Sequence, residues 1–167
     1  MAYPAPNSMN KLTDRQSLGP PGHPPDEASY EVDFVLWADR QAYLLRHSHF
    51  AELDQEHLIV ELEDMAGSQR RELRSRLIVL LVHLLKCQYQ PERKSSSWMA
   101  TLSEQRSQIA LQLEDSPSLR IHLMTYAEKA YPSAVTRASL ETMLPKSSFP
   151  VAQPFTEVEM LDLDFIP

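Results

Sequence analysis

Leucines recur every three or four residues through the middle of the chain. Leu58, Leu62, Met65, Leu73, Leu77, Leu80 and Leu84 keep this spacing with one gap, at Gln69. The pattern predicts one helix over residues 54–88, on the order of 50 Å long at ~1.5 Å per residue. Ala66-Gly67-Ser68 falls at its middle. A glycine inside a helix costs about 1 kcal/mol relative to alanine, so one long helix with a weak point is expected there. From Leu77 to Leu85 nearly every face is apolar. A helix that is apolar all round is covered all round, which predicts the central helix of a bundle.

Helical spacing of Phe34, Trp37, Ala38, Gln41, Leu44 and Leu45 predicts a first helix over 30–46. Glu31 and Asp33 would occupy its first turn, where the helix dipole favours acids. "HSHFAELD" then turns the chain, and Asp54 is placed to cap the long helix. Pro91 stops that helix. A third helix from Ser97 or Trp98 would bury Trp98, Leu102, Ile109 and Leu113, with Gln105 in the same stripe. Ser116 and Pro117 read as N-cap and first residue of a fourth helix, which Pro132 would kink or restart before Met143. The ending, "LPKSSFPVAQPF", is proline-rich and extended. Thr156 and Glu159 have capping-box spacing before a short final turn. Phe149, Phe155, Leu161, Leu163 and Phe165 predict that this tail packs on the bundle.

Gly67 is the only glycine after Gly22, and alternating β-branched runs are absent, so hairpins and strands have little support. The fold class is therefore read as all-α: a helical bundle around one long central helix, with the proline-rich C-terminal tail packed on it. Gly19, Gly22 and four prolines cluster in "SLGPPGHPPDEAS", so residues 1–28 read as a disordered leader. Residues 29–167 read as a single domain.

The chain has 167 residues, 43% of them hydrophobic, enough for one ordinary core. A net charge of −7 disfavours nucleic-acid binding by the surface as a whole. The single cysteine, Cys87, can close neither an internal disulfide nor a cysteine-based zinc site. No signal-like apolar core opens the sequence, and the longest apolar run is too short for a span of roughly 20 residues. These features point to a cytoplasmic location without membrane contact.

Candidate chemistry is sparse. Asp54-x-x-His57 resembles half of the carboxylate–histidine pattern of di-iron bundles, but no second copy is present. His47 and His49, two residues apart, would point about 200° apart on a helix. No metal site and no cofactor are expected. Phosphate loops need clustered glycines, which the region beyond Tyr30 lacks. Cys87 lies one turn after His83 but among leucines, the setting of a structural thiol. Between Arg70 and Lys94 seven basic residues face only two acids. Arg70, Arg71, Arg74 and Lys86 are the anion-binding candidates, with RNA as a weak possibility. The alternative is a solvated face with internal pairs such as Glu72 with Arg76.

Gln69, Arg76, His83 and Gln90 are spaced by seven and line one side of the long helix. A buried imidazole or guanidinium needs partners, since an unpaired one costs at least about 1–3 kcal/mol. Glu61, Glu63, Glu104, Gln105 and Arg106 are the candidates. Two readings stand beside each other: a polar network that fixes helix register, or a catalytic pocket. In the pocket His83 would act as acid/base, Arg76 and Arg106 as phosphate clamps, and Glu61 or Glu63 as the group orienting the histidine.

The segments "YEVDFVLWADRQAYLLR", "LDQEHLIVELEDM", "SQRREL", "VHLLKCQYQPER", "LSEQRSQI" and "DSPSLR", together with the ending "QPFTEVEMLDLDF", occur in register. In that order they resemble the bacterial domain-of-unknown-function family 29 over roughly residues 30–167. The resemblance implies an α-helical domain with no established activity. This chain departs from the family pattern in three places. Val60-Glu61 stands for a Glu-Glu pair, Ala66-Gly67 for a Gly-Arg pair, and Cys87 for a tryptophan. The expected function is a non-enzymatic macromolecular interaction protein with a protein partner, which could be a second copy. The alternative is a hydrolase or ribonuclease-like enzyme built on the His/Arg/Glu group.

Overall fold

A computed structural model describes residues 29–167, so the leader expected over 1–28 lies outside the described residues. The fold is all-α: five α-helices joined by short 3-10 turns, with no strand among the described residues. The helices are α1 (Phe34–Arg46), α2 (Gln55–Tyr89), α3 (Ser96–Asp115), α4 (Leu123–Thr142) and α5 (Glu157–Leu161). α2 runs unbroken through Gly67 for 35 residues, as the leucine spacing predicts. No helix among the described residues is long and apolar enough to cross a membrane.

The chain divides between Leu62 and Glu63 into two compact units. The first contains α1, a 3-10 turn over Phe50–Glu52 and the opening of α2. α1 starts four residues later than expected. Asp33 is its N-cap, not part of its first turn, because the side chain accepts the Leu36 N–H at 3.0 Å. Ser48, at φ 61°, reverses the chain after α1. Asp54 caps α2 as anticipated, its Oδ1 accepting the His57 backbone N–H at 3.3 Å.

The second unit holds the main core. Leu73, Leu77, Leu80, Leu81, Leu84 and Leu85 of α2 are fully buried against Leu102 and Ile109 of α3 and Leu123, Ala127 and Ala134 of α4. Ile78, Val79 and His83 are only partly covered, so the enclosure of this stretch is nearly complete. α3 begins at the Ser95 cap and buries Arg106 and Gln112 beside the expected apolar residues. α4 passes through Pro132 without interruption and ends at Met143 in the left-handed region, φ 62°. Ser116 makes no side-chain capping bond. It precedes a 3-10 turn over Pro117–His122, and the α-helical hydrogen bonding of α4 starts only at Leu123.

The tail packs on this core. Phe149, Phe155 and Met160 are buried and Phe165 partly so, whereas Leu163, expected in the same set, is exposed. The Thr156/Glu159 capping box is present in both directions. Arg106 fixes the tail. Its guanidinium is almost fully buried and donates to the carbonyl oxygens of Glu159 (3.0 Å), Met160 (3.0 Å), Leu163 (3.4 Å) and Phe165 (2.7 Å). A buried cation is tolerated only when hydrogen-bonded in this way.

Candidate functional site

In the first unit Asp54 gathers partners from both helices. Trp37, three residues into α1, donates its indole N–H to Asp54 Oδ2 at 3.0 Å. Gln41, one turn further, accepts the Asp54 backbone N–H at 2.9 Å. His57 Nδ1 lies 2.7 Å from the same Oδ2. Because a carboxylate only accepts, Nδ1 carries the proton and Nε2 is the variable site. Nε2 faces Glu31 Oε1 at 3.7 Å. The Tyr30 ring stacks on the imidazole at 4.1 Å between centroids, meets Trp37 edge-on at 5.0 Å, and donates its hydroxyl to Glu61 at 2.5 Å.

The electrostatics follow from these contacts. Burial alone would raise the Asp54 carboxyl, but the bonds from His57 and Trp37 prevail and hold it below the usual range. The bond to Asp54, reinforced by Glu31 and Glu56, raises His57 above an ordinary histidine. A histidine oriented by a carboxylate can hold or release a proton at Nε2. His57 lines neither the cavity beside Arg70 and Tyr126 nor the one beside Tyr131 and Phe149.

Most large apolar residues of 29–62 are nevertheless exposed. Only Trp37 and Leu44 are buried, whereas Val32, Phe34, Val35, Leu36, Leu45, Phe50, Ile59, Val60 and Leu62 are exposed. Leu62, expected in the core stripe of the long helix, is 63% exposed, and Met65 at the start of the second unit is 66% exposed. In this first stretch of α2 the contacts to α1 and the segment before it are made by His57 and Glu61, with Asp54 at the cap, and Leu58 alone of the expected stripe is partly buried. Among its described residues, 29–62, the unit is also acidic: seven carboxylates, four of them on exposed residues (Glu31, Asp39, Glu52 and Glu56), against Arg40 and Arg46.

The other candidates are dispersed. Glu61 is engaged with Tyr30 in the first unit, and Glu63 is exposed at the edge of the second. Arg76 pairs with Glu72 at 2.6 Å, the i,i+4 contact anticipated from spacing. His83 Nδ1 lies 2.9 Å from the Val79 carbonyl, and burial pushes its pKa down. Gln105 is partly buried on α3, and Arg106 is committed to the tail. The polar line of Gln69, Arg76, His83 and Gln90 is thus a set of separate bonds. At its ends Gln69 meets Gln112 of α3, and Gln90 donates to the Thr142 carbonyl at 2.8 Å.

Of the anion candidates, Lys86 is tied to Glu141 at 2.7 Å and lies 4.3 Å over the Trp98 ring. Arg71 faces Asp64 at 3.6 Å. Arg74 is exposed, and Arg70 lines a cavity. Cys87 is fully buried, and burial pushes its thiol up. No group of three potential metal ligands occurs among the described residues.

In the sequence, the pair Asp54-x-x-His57 reads only as a partial metal motif. The i,i+3 spacing also fits a carboxylate orienting a histidine on one helical turn. Trp37, Gln41 and Tyr30, which complete the cluster, come from another segment and carry no local signal.

An all-α protein with a polar-centred helical hairpin and a leucine-rich core is the class these features define. Residues 29–166 match the family described as domain of unknown function DUF29, and the chain belongs to that family. No curated protein and no solved structure matches it significantly.

Proposed function

We propose that this is a cytoplasmic, non-enzymatic interaction protein whose first unit docks a cationic, amphipathic segment of another protein. One observation carries the reading: in residues 29–62 nine large apolar residues are exposed, while only Trp37, Gln41 and Leu44 are buried. Exposed apolar clusters on soluble proteins mark interaction surfaces. The charge selects the partner. Seven carboxylates against two arginines favour a basic segment and oppose a second copy on the same surface. Absence of disulfide chemistry supports the cytoplasmic assignment.

The test is a calorimetric titration of the full chain with a synthetic leucine/lysine amphipathic peptide. The expected result is one-to-one binding that weakens with salt and falls about tenfold, a loss of ~1.4 kcal/mol, in the Ile59→Gln/Leu62→Gln variant. Both side chains are more than half exposed, so the fold tolerates the change. Equal affinity in the variant overturns the proposal. A solution mass of two chains that the same variant halves replaces the cationic partner with a second copy.

A further inference from the structure

A cavity of about 300 Å³ opens in the second unit between α2, the 3-10 turn before α4 and the start of α4 itself. Its polar lining is Gln69, Arg70, Ser116, Ser118, His122 and Tyr126, and no carboxylate lines it. We infer that this cavity binds the phosphate group of a small phosphomonoester.

Each lining group is available for the purpose. Arg70 is exposed and has no ion-pair partner among the described residues, unlike Arg71 and Arg76 on the same helix. Ser116 stands at a helical start, yet its hydroxyl caps nothing. The Gln69 side chain is oriented by its neighbour. The Gln112 amide nitrogen donates to the Gln69 backbone carbonyl at 2.8 Å, which fixes that atom as nitrogen. The same nitrogen lies 3.2 Å from Gln69 Oε1, so the Gln69 NH₂ is the end left to donate. His122 and Tyr126 add a ring N–H and a hydroxyl, their rings edge-on at 6.4 Å.

The donors indicate phosphate over carboxylate. A carboxylate offers two oxygens and about four lone-pair sites. A phosphomonoester offers three terminal oxygens, and arginine grips a pair of them with two parallel N–H bonds. Six donor-bearing side chains exceed what a carboxylate accepts. Leu119 and Ile121 supply an apolar wall for the organic part of the ester. The volume, at the lower end of ligand pockets, suits a compact molecule.

The experiment is an amide-resolved NMR titration of the full chain with phenyl phosphate, inorganic phosphate, benzoate, and potassium chloride at matched ionic strength. Saturable shifts at Gln69, Arg70, Ser116 and Ser118 are expected with both phosphates, tighter for the ester. Arg70→Ala should weaken binding about tenfold, with the remaining spectrum unchanged. Shifts that merely track ionic strength, equal binding of benzoate, or undiminished affinity in Arg70→Ala would overturn the assignment.

Discussion

Asp54 at the cap of α2 and His57 in its first turn are paired, with the imidazole Nδ1 2.7 Å from a carboxylate oxygen that also accepts the Trp37 indole. This pair makes the first unit pH-sensitive, with a definite sign. His57 titrates above its ordinary value of 6.5 when folded. Its contribution is therefore full below 6.5 and is lost as pH rises through the folded value. Asp54 titrates below 3.8, so its contribution is present above 3.8 and fades as pH falls through the lower folded value. The hairpin should be tightest between about pH 4 and 6.5. NMR titration of the His57 ring checks this. Asp54→Asn should bring its midpoint back down, and an unchanged midpoint would refute the pairing.

Removing the indole donor while keeping an aromatic ring isolates one bond. Trp37→Phe leaves a ring against Tyr30 and Phe34 but deprives Asp54 of a donor. The expected cost is about 1.5–3 kcal/mol, the range for a hydrogen bond to a charged group. Urea unfolding measures it, and a loss under about 0.5 kcal/mol, the lower limit for an ordinary hydrogen bond, would show that Asp54 does not rely on Trp37.

Gly67 sits in the continuous run of α2, and its backbone needs no special conformation. A methyl group there would meet Arg71 Nη1 at 3.0 Å, the far end of an exposed, flexible side chain. Gly67→Ala should therefore stabilise the protein by roughly 0.5–1 kcal/mol through helix propensity. A destabilised variant in the same urea assay would mean that Arg71 cannot move aside.

Cys87 has no accessible surface and its thiol is raised by burial. In the native protein it should react with an aromatic disulfide reagent only as fast as the core opens, and at the rate of an ordinary thiol in urea. Rapid native labelling would contradict its burial.

The helices were legible where local signals act alone. The leucine spacing located α2 and carried it across Gly67. The Thr156/Glu159 box marked α5, and Asp54 announced the start of α2. Legibility failed where the deciding partner lies elsewhere in the chain. Leu62 and Met65 fit a core stripe by spacing but are exposed, because the partners from the first segment, Trp37, Gln41 and Tyr30, meet Asp54, His57 and Glu61 instead. Ser116 looked like a cap because its residue type and the following proline fit one. Ser116 instead lines a cavity whose other walls come from α2, the 3-10 turn that follows it and α4. Arg106 looked like a clamp for phosphate because guanidinium favours anions. Its partners are backbone carbonyls, which no residue letter encodes.

That last point bears on how the ending of the chain can change. The hydrogen bonds of Arg106 go only to main-chain oxygens, at Glu159, Met160, Leu163 and Phe165. The latch therefore reads the path of the tail and is blind to most of its spelling. Exchanging the exposed Leu163 for a polar residue leaves all four oxygens in place. Deleting one residue between Met160 and Phe165 shifts the later oxygens out of register with the guanidinium. At this edge of the protein, length is constrained more tightly than composition.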